Sequence, residues 1–287
     1  MPYTTAPDGV RLYYEEAGEG APILFIHEFG GDHRSWEPQM RYFSRSHRCI
    51  AYSARGYAPS DVPSSSDAYS YQHWIADAVA MLDHLGIDKA HIVGLSMGGY
   101  ATLQVGLNHP QRALSLVIAG CGSGSERHYI DEFRKNSRAT ADIFEKHGSA
   151  EAGRTFGHAP GRIPFLVKDP RGFAEFIAHF SEHDPKGSAH TLRGYQASRP
   201  SLYDFEAEIR RCTVPSLVVV GDEDDVCVEP SLYLKSWLPA AGLAVFPKSG
   251  HAVNLEEPGL FNRTVADFIA RVEAGCWPAR DPRSQRA

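Results

Sequence analysis

Gly94-Leu95-Ser96-Met97-Gly98-Gly99 constrains this chain more than any other stretch. It follows Ala90-His91-Ile92-Val93, an apolar run that reads as a buried strand, and precedes Tyr100-Ala101-Thr102-Leu103-Gln104-Val105, which reads as a helix. A Gly-x-Ser-x-Gly between strand and helix is a nucleophile elbow, a turn so tight that its serine is held in a strained conformation. Glycine is required at 94 and 98 because a Cβ at either place would clash across the turn. The Ser96 hydroxyl then stands at the end of the strand, with the N–H of Met97 pointing at the space beside it.

A serine hydroxyl is a weak nucleophile at neutral pH and needs a histidine base, itself oriented by a carboxylate. Of fourteen histidines, His251 is set apart by its surroundings. Leu243-Ala244-Val245-Phe246 reads as a strand, Pro247 to Gly250 as a loop and Pro258 to Val272 as a helix, which places His251 just past a strand's C-terminal end. Active sites of open α/β sheets collect there. A carboxylate is expected in the same kind of place. The β-branched run Pro215 to Gly221 breaks into Asp222-Glu223-Asp224-Asp225, and composition alone leaves the three aspartates equivalent.

Taken together, these pieces resemble the α/β-hydrolase fold superfamily, its serine esterases and lactonases with a helical cap in particular. The resemblance runs from about residue 8 to about residue 272. Its residues are Ile26-His27-Glu28-Phe29-Gly30-Gly31, Ala54-Arg55-Gly56-Tyr57, the elbow, Gly221-Asp222-Glu223-Asp224 and Ser249-Gly250-His251. The chain order of Ser, Asp and His is the one this fold uses. The resemblance makes Ser96 the nucleophile, His251 the base and Asp224 its partner, with Asp222 as the runner-up. It also makes the backbone N–H groups of Phe29 and Met97 the oxyanion hole. Haloalkane dehalogenase and epoxide hydrolase relatives carry an aspartate at the elbow, so the serine argues against their chemistry.

Two positions depart from the family pattern. Relatives have His-Gly where this chain has His27-Glu28, and Ser53 stands where an aspartate is common. A carboxylate at 28 opposes charge building on a substrate oxygen. One arrangement turns Glu28 outward to pair with Arg34 or Arg55, and this is the one expected here. The other makes Glu28 a pocket residue, where burial turns it into an acid or a substrate anchor. His27 is expected to be a structural loop histidine.

The expected fold is α/β, a mostly parallel central sheet with helices on both faces and a helical cap inserted after the sixth strand. Strands and helices alternate from Ile23 to Gly120, with an amphipathic helix from Tyr71 to Leu85. From Cys121 to Cys212 no buried-strand run appears, and Phe144, Phe156, Phe165, Phe173, Phe176, Phe180 and Tyr195 are read as cap residues. Residues 1–120 and 213–274 are accordingly read as core, 121–212 as cap and 275–287 as a disordered tail. The cap carries fourteen Lys/Arg against thirteen Asp/Glu, so it is no general trap for anions.

With 287 residues the chain can bury a large core without staples. A net charge of −6 argues against nucleic acid or an anionic membrane as partner, and no apolar run approaches the roughly 20 residues of a membrane span. The five cysteines, with no Cys-x-x-Cys pair, read as free thiols of a cytoplasmic protein, in keeping with an N-terminus that has no secretory pattern. The chemistry expected is hydrolysis of a small or medium carboxylic ester or lactone through an acyl-enzyme, without cofactor or metal. The alternatives are C–C bond hydrolysis or cofactor-free perhydrolase or oxygenase chemistry on the same fold, or a slow-turnover ligand-binding receptor. The sequence sets no oligomeric state.

Overall fold

A computed structural model describes residues 2–284. Eight strands form one sheet: β1 (Tyr3–Thr5), β2 (Arg11–Ala17), β3 (Pro22–Ile26), β4 (Arg48–Tyr52), β5 (Ala90–Leu95), β6 (Ala113–Ala119), β7 (Ser216–Gly221) and β8 (Ala241–Phe246). Their order is β1-β2-β4-β3-β5-β6-β7-β8, with β1 and β2 antiparallel to their neighbours and the rest parallel. The central strands are Val/Ile/Leu-rich because both of their faces are covered. Leu24, Ile26, Ile92, Leu116, Ile118 and Val218 face one apolar layer, and Ile23, Phe25, Val93, Val117 and Val219 face the other, as the period of two requires.

The first layer is closed by α2 (Tyr71–His84) and α3 (Met97–Asn108), the second by α1 (Glu37–Phe43) and, near the chain's end, by a helix over Pro258–Glu273. Trp74, Ala78, Met81 and Leu82 form the buried stripe of α2, as the 3.6-residue spacing predicts. Between β6 and β7 the chain is helical: α4 (Ile130–Gly157, bent at Gly148), α5 (Ile163–Lys168), α6 (Pro170–Ser181), α7 (Pro185–Thr191) and α8 (Glu206–Arg211). The helices α9 (Asp225–Trp237), α10 (Val253–Glu256) and α11 (Pro258–Glu273) complete the chain. No helix of the described residues is long and apolar enough to cross a membrane.

The sheet has helices on both faces and the helical insertion follows the sixth strand, as the sequence reading has it. The N-terminal hairpin β1–β2 was not anticipated. Its residues alternate between buried and exposed and carry Glu15 and Glu16, so no continuous apolar run marks them. The tail is a correction over most of its length. Trp277 packs edge-on against Phe268 at 4.7 Å and donates to the Ala240 carbonyl at 2.9 Å, and the Arg280 N–H bonds Pro239. The indole fits there because residue 242 is glycine: a Cβ would meet its ring at 2.6 Å. Residues 285–287 of the expected tail lie outside the described ones.

Candidate active site

The chain crosses from one side of β3 to the other between β4 and β5, so the loops after β3 and β5 open side by side at the strands' C-terminal ends. Ser96 sits in the second of these loops. Its φ of 56° is one of only two positive values at non-glycine residues in the described chain. Strain of this kind costs about 1–3 kcal/mol and persists only where the surroundings fix it. They do so here: the Ser96 N–H bonds the Ala119 carbonyl at 2.8 Å, and its carbonyl accepts from Tyr100 at 2.9 Å. Gly98 passes so close to β3 that a Cβ there would lie 2.6 Å from the His27 oxygen. This contact brings the two loops together.

Met97 begins α3, where N–H groups have no helical partner, and the Phe29 N–H likewise has no protein acceptor among the described residues. The helix dipole adds partial positive charge at the same point. His251 lies in the loop after β8 and Asp224 in the loop after β7. His251 Nδ1 bonds Asp224 Oδ2 at 2.7 Å, leaving Nε2 without a protein partner. Burial alone lowers the imidazole's affinity for a proton, but the charge and hydrogen bond of Asp224 outweigh it and raise the pKa above 6.5. Among the three aspartates only Asp224 is buried. Asp222 is exposed and accepts from the Ser249 N–H at 3.1 Å, and Asp225 is exposed at the start of α9.

Phe29, Ser96, Met97, Asp224 and His251 all line one cavity of about 270 Å³. No protein hydrogen bond joins Ser96 Oγ to the imidazole, a bond that often tightens only with substrate in place. The insertion supplies the other walls, among them Phe133, Phe156, Arg162, Leu192, Gln196 and Arg199. The Gly161 carbonyl takes the His251 N–H at 2.6 Å, so the insertion also holds the backbone of the histidine loop. Of the seven aromatics assigned to the insertion, Phe156 reaches the cavity, while Phe144, Phe165, Phe173, Phe176, Phe180 and Tyr195 pack in the core behind it.

Glu28 requires a correction. It neither turns outward nor lines the cavity. It is fully buried, and its carboxylate is ion-paired with Arg162 of the insertion. Arg34 is taken by Asp32 and Glu182, and Arg55 by Asp8 and Asp77. The turn after Glu28 is closed by the Gly31 N–H on the Glu28 carbonyl at 3.1 Å, and the side chain meets Arg162 in the link between α4 and α5. There the Arg162 guanidinium lies against the rings of Phe156 and Phe176, at 5.3 and 4.9 Å. Arg162, Gln196 and Arg199 were not singled out in the sequence. The departure at residue 28 was a signal that a cation must lie near, but not which one.

His27 is structural, as expected. Its Nδ1–H donates to the Glu28 carbonyl at 2.7 Å, its Nε2 accepts from the Ala54 N–H at 3.0 Å, and burial pulls its pKa down to about 4. Asp224, Cys227 and His251 bring three potential metal donors within 4.8 Å of one another. Two of the donor atoms are spent on each other in the Asp224–His251 bond, and burial pushes the Cys227 thiol well above its usual pKa, keeping it protonated. The set is a hydrogen-bonded pair with a neutral thiol beside it.

The family model of the alpha/beta hydrolase fold matches residues 21–258. A protein of Variovorax paradoxus, provisionally named a carbamate hydrolase, is 30% identical over 93% of this chain and 99% of its own length. The 2-hydroxymuconate semialdehyde hydrolase of a Pseudomonas strain is 29% identical over 93% of each chain. Among solved structures, an enzyme described as degrading N-acyl homoserine lactones superposes with a TM-score of 0.77 at 30% identity. That match covers 93% of this chain and all of the other.

Proposed function

The chain belongs to the alpha/beta hydrolase fold family, and on that premise we propose that it is a serine hydrolase of small or medium carboxylic esters or lactones. The observation that carries the proposal is the convergence on one cavity of a strained serine, a histidine with a free Nε2 and two unused backbone N–H groups. Similarity to a lactone-degrading enzyme supports the substrate class. In this reading residues 121–212 act as a cap over the core formed by 1–120 and 213–274.

Ser96 Oγ attacks the substrate carbonyl carbon while its proton passes to His251 Nε2. Asp224 holds the imidazole in the required tautomer and stabilises the imidazolium. The tetrahedral oxyanion is taken up by the Phe29 and Met97 N–H groups, which are oriented before the reaction begins and so need no reorganisation. His251 returns the proton to the leaving alkoxide, giving an acyl-Ser96. A water molecule, deprotonated by the same imidazole, then releases the acid. For a lactone the alcohol and acid leave as one molecule.

Hydrolysis of a C–C bond in a vinylogous diketone is the second reading. The similarity to the 2-hydroxymuconate semialdehyde hydrolase favours it. Steady-state rates of wild type and Ser96→Ala on a panel of esters, lactones and vinylogous diketones separate the two. Turnover of esters or lactones that is lost in Ser96→Ala supports the proposal. Turnover confined to diketones replaces it with the second reading, and Ser96-independent turnover refutes both.

A further inference from the structure

Two arginines line the cavity, and they differ in their electrostatic surroundings. Arg162 is neutralised by Glu28. Arg199 has no carboxylate partner among the described residues, although the residue is only 7% exposed. Its Nε donates to Gln196 Oε1 at 3.0 Å and its Nη2 to the Ser123 carbonyl at 2.6 Å. The guanidinium lies over the Tyr100 ring at 4.7 Å and the Phe133 ring at 5.3 Å. These contacts supply dipoles and quadrupoles, but no counter-charge. A buried cation without one is costly, and an anionic group held in the cavity would supply the missing counter-charge.

The free hydrogen-bonding capacity points the same way. Arg199 Nη1 has no protein acceptor, and Gln196, whose Oε1 is used by Arg199, has its NH2 group left without one. Both residues line the cavity. A planar group with two acceptor oxygens matches such a pair of donors. The charge of Arg199 is felt at Tyr100, Cys121 and Tyr195, whereas the largest charge effects on His251 come from Asp224, Arg162 and Glu28. Arg199 is set by its contacts to Gln196, Ser123, Tyr100 and Phe133 rather than by the Asp224–His251 pair, so it is placed to take a substituent of the substrate other than the reacting carbonyl.

We propose that Arg199, with Gln196 beside it, binds a carboxylate of the substrate, so that the preferred substrate is an ester or lactone bearing a second, free carboxylate. The proposal rests on the hydrolase reading above and adds the substrate's charge to it. The volume of about 270 Å³, below the roughly 300–1,000 Å³ of drug-sized ligand sites, restricts that substrate to a short chain.

The test compares monomethyl glutarate, an anion, with neutral dimethyl glutarate. Wild type is expected to favour the monoester in kcat/KM by about tenfold to a hundredfold, as one charged hydrogen bond allows. Arg199→Met should erase that ratio, chiefly through KM for the monoester, and Arg199→Lys should keep part of it. Glutarate itself should bind the Ser96→Ala protein in calorimetry, and at least about tenfold more weakly once Arg199→Met is added. Absence of a preference in wild type overturns the inference, and so does an equal loss on both esters in Arg199→Met, which marks a merely structural arginine. Turnover of the diester without preference leaves the hydrolase reading standing. If neither ester reacts at Ser96, both the inference and the hydrolase reading fall.

Discussion

Replacing Glu28 by Gln removes one member of an ion pair whose side chains are 0% and 4% exposed. Arg162 would then keep its charge in a site where Nη1 already has no hydrogen-bond partner, the Phe29 carbonyl lies 3.5 Å from Nη2 and the rings of Phe156 and Phe176 flank the guanidinium. Breaking a buried pair from one side costs about 3–5 kcal/mol, because the remaining charge loses its counter-ion and, only 4% exposed, regains little water. At about 2–4 °C per kcal/mol for a domain of this general size, a loss of about 3 kcal/mol lowers the melting temperature by about 6–12 °C. The double variant Glu28→Gln/Arg162→Met should recover most of that loss. A methionine suits the space between two aromatic rings, and no charge is left behind. Because Glu28 immediately precedes Phe29, kcat of Glu28→Gln should also fall about tenfold to a hundredfold, as misplacement of an oxyanion donor does. Urea unfolding and differential scanning calorimetry of the two single variants and the double measure the coupling. Single variants within about 1 kcal/mol of wild type, or a double variant no better than the weaker single, would refute the reasoning.

Asp224→Asn should lower kcat about ten-thousandfold, whereas Asp222→Asn and Asp225→Asn should stay within a few-fold, as steady-state kinetics on one activated ester will show. In the proposed mechanism only a neutral His251 accepts the Ser96 proton. With its pKa raised above 6.5, kcat/KM should climb with rising pH along an acid limb centred above that value, and removing the Asp224 charge should move the limb downward. A wild-type limb centred below 6.5 contradicts this electrostatic account.

Much of the sheet was legible because its strands are buried on both faces. Runs such as Ile23 to Ile26 and Leu217 to Val220 are too apolar and β-branched to be loops, and their spacing set the alternation with helices. The elbow was legible because Gly-x-Ser-x-Gly between a strand and a helix is a local pattern, although what excludes a Cβ at Gly98 is the distant end of β3. The first hairpin was not, since a half-exposed edge needs no apolar run. The partner of Glu28 was not legible either: Arg162 is 134 residues away and reaches it only once the insertion folds back over the sheet. The same long-range closure decides which insertion residues face the cavity. Phe156 and Phe180 are alike in sequence, yet one lines it and the other packs behind Phe29. Nothing in local patterning separates them.

The central claim is that Ser96 is an activated nucleophile, and a fluorophosphonate probe tests it most directly. Such a reagent bonds covalently to a serine whose proton is removed by a neighbouring base, and unactivated hydroxyls are spared. Intact mass spectrometry should show one adduct per chain, peptide mapping should place it on Ser96, and both Ser96→Ala and His251→Ala should abolish it. An unlabelled wild-type protein, or an adduct that survives in Ser96→Ala, would contradict the account.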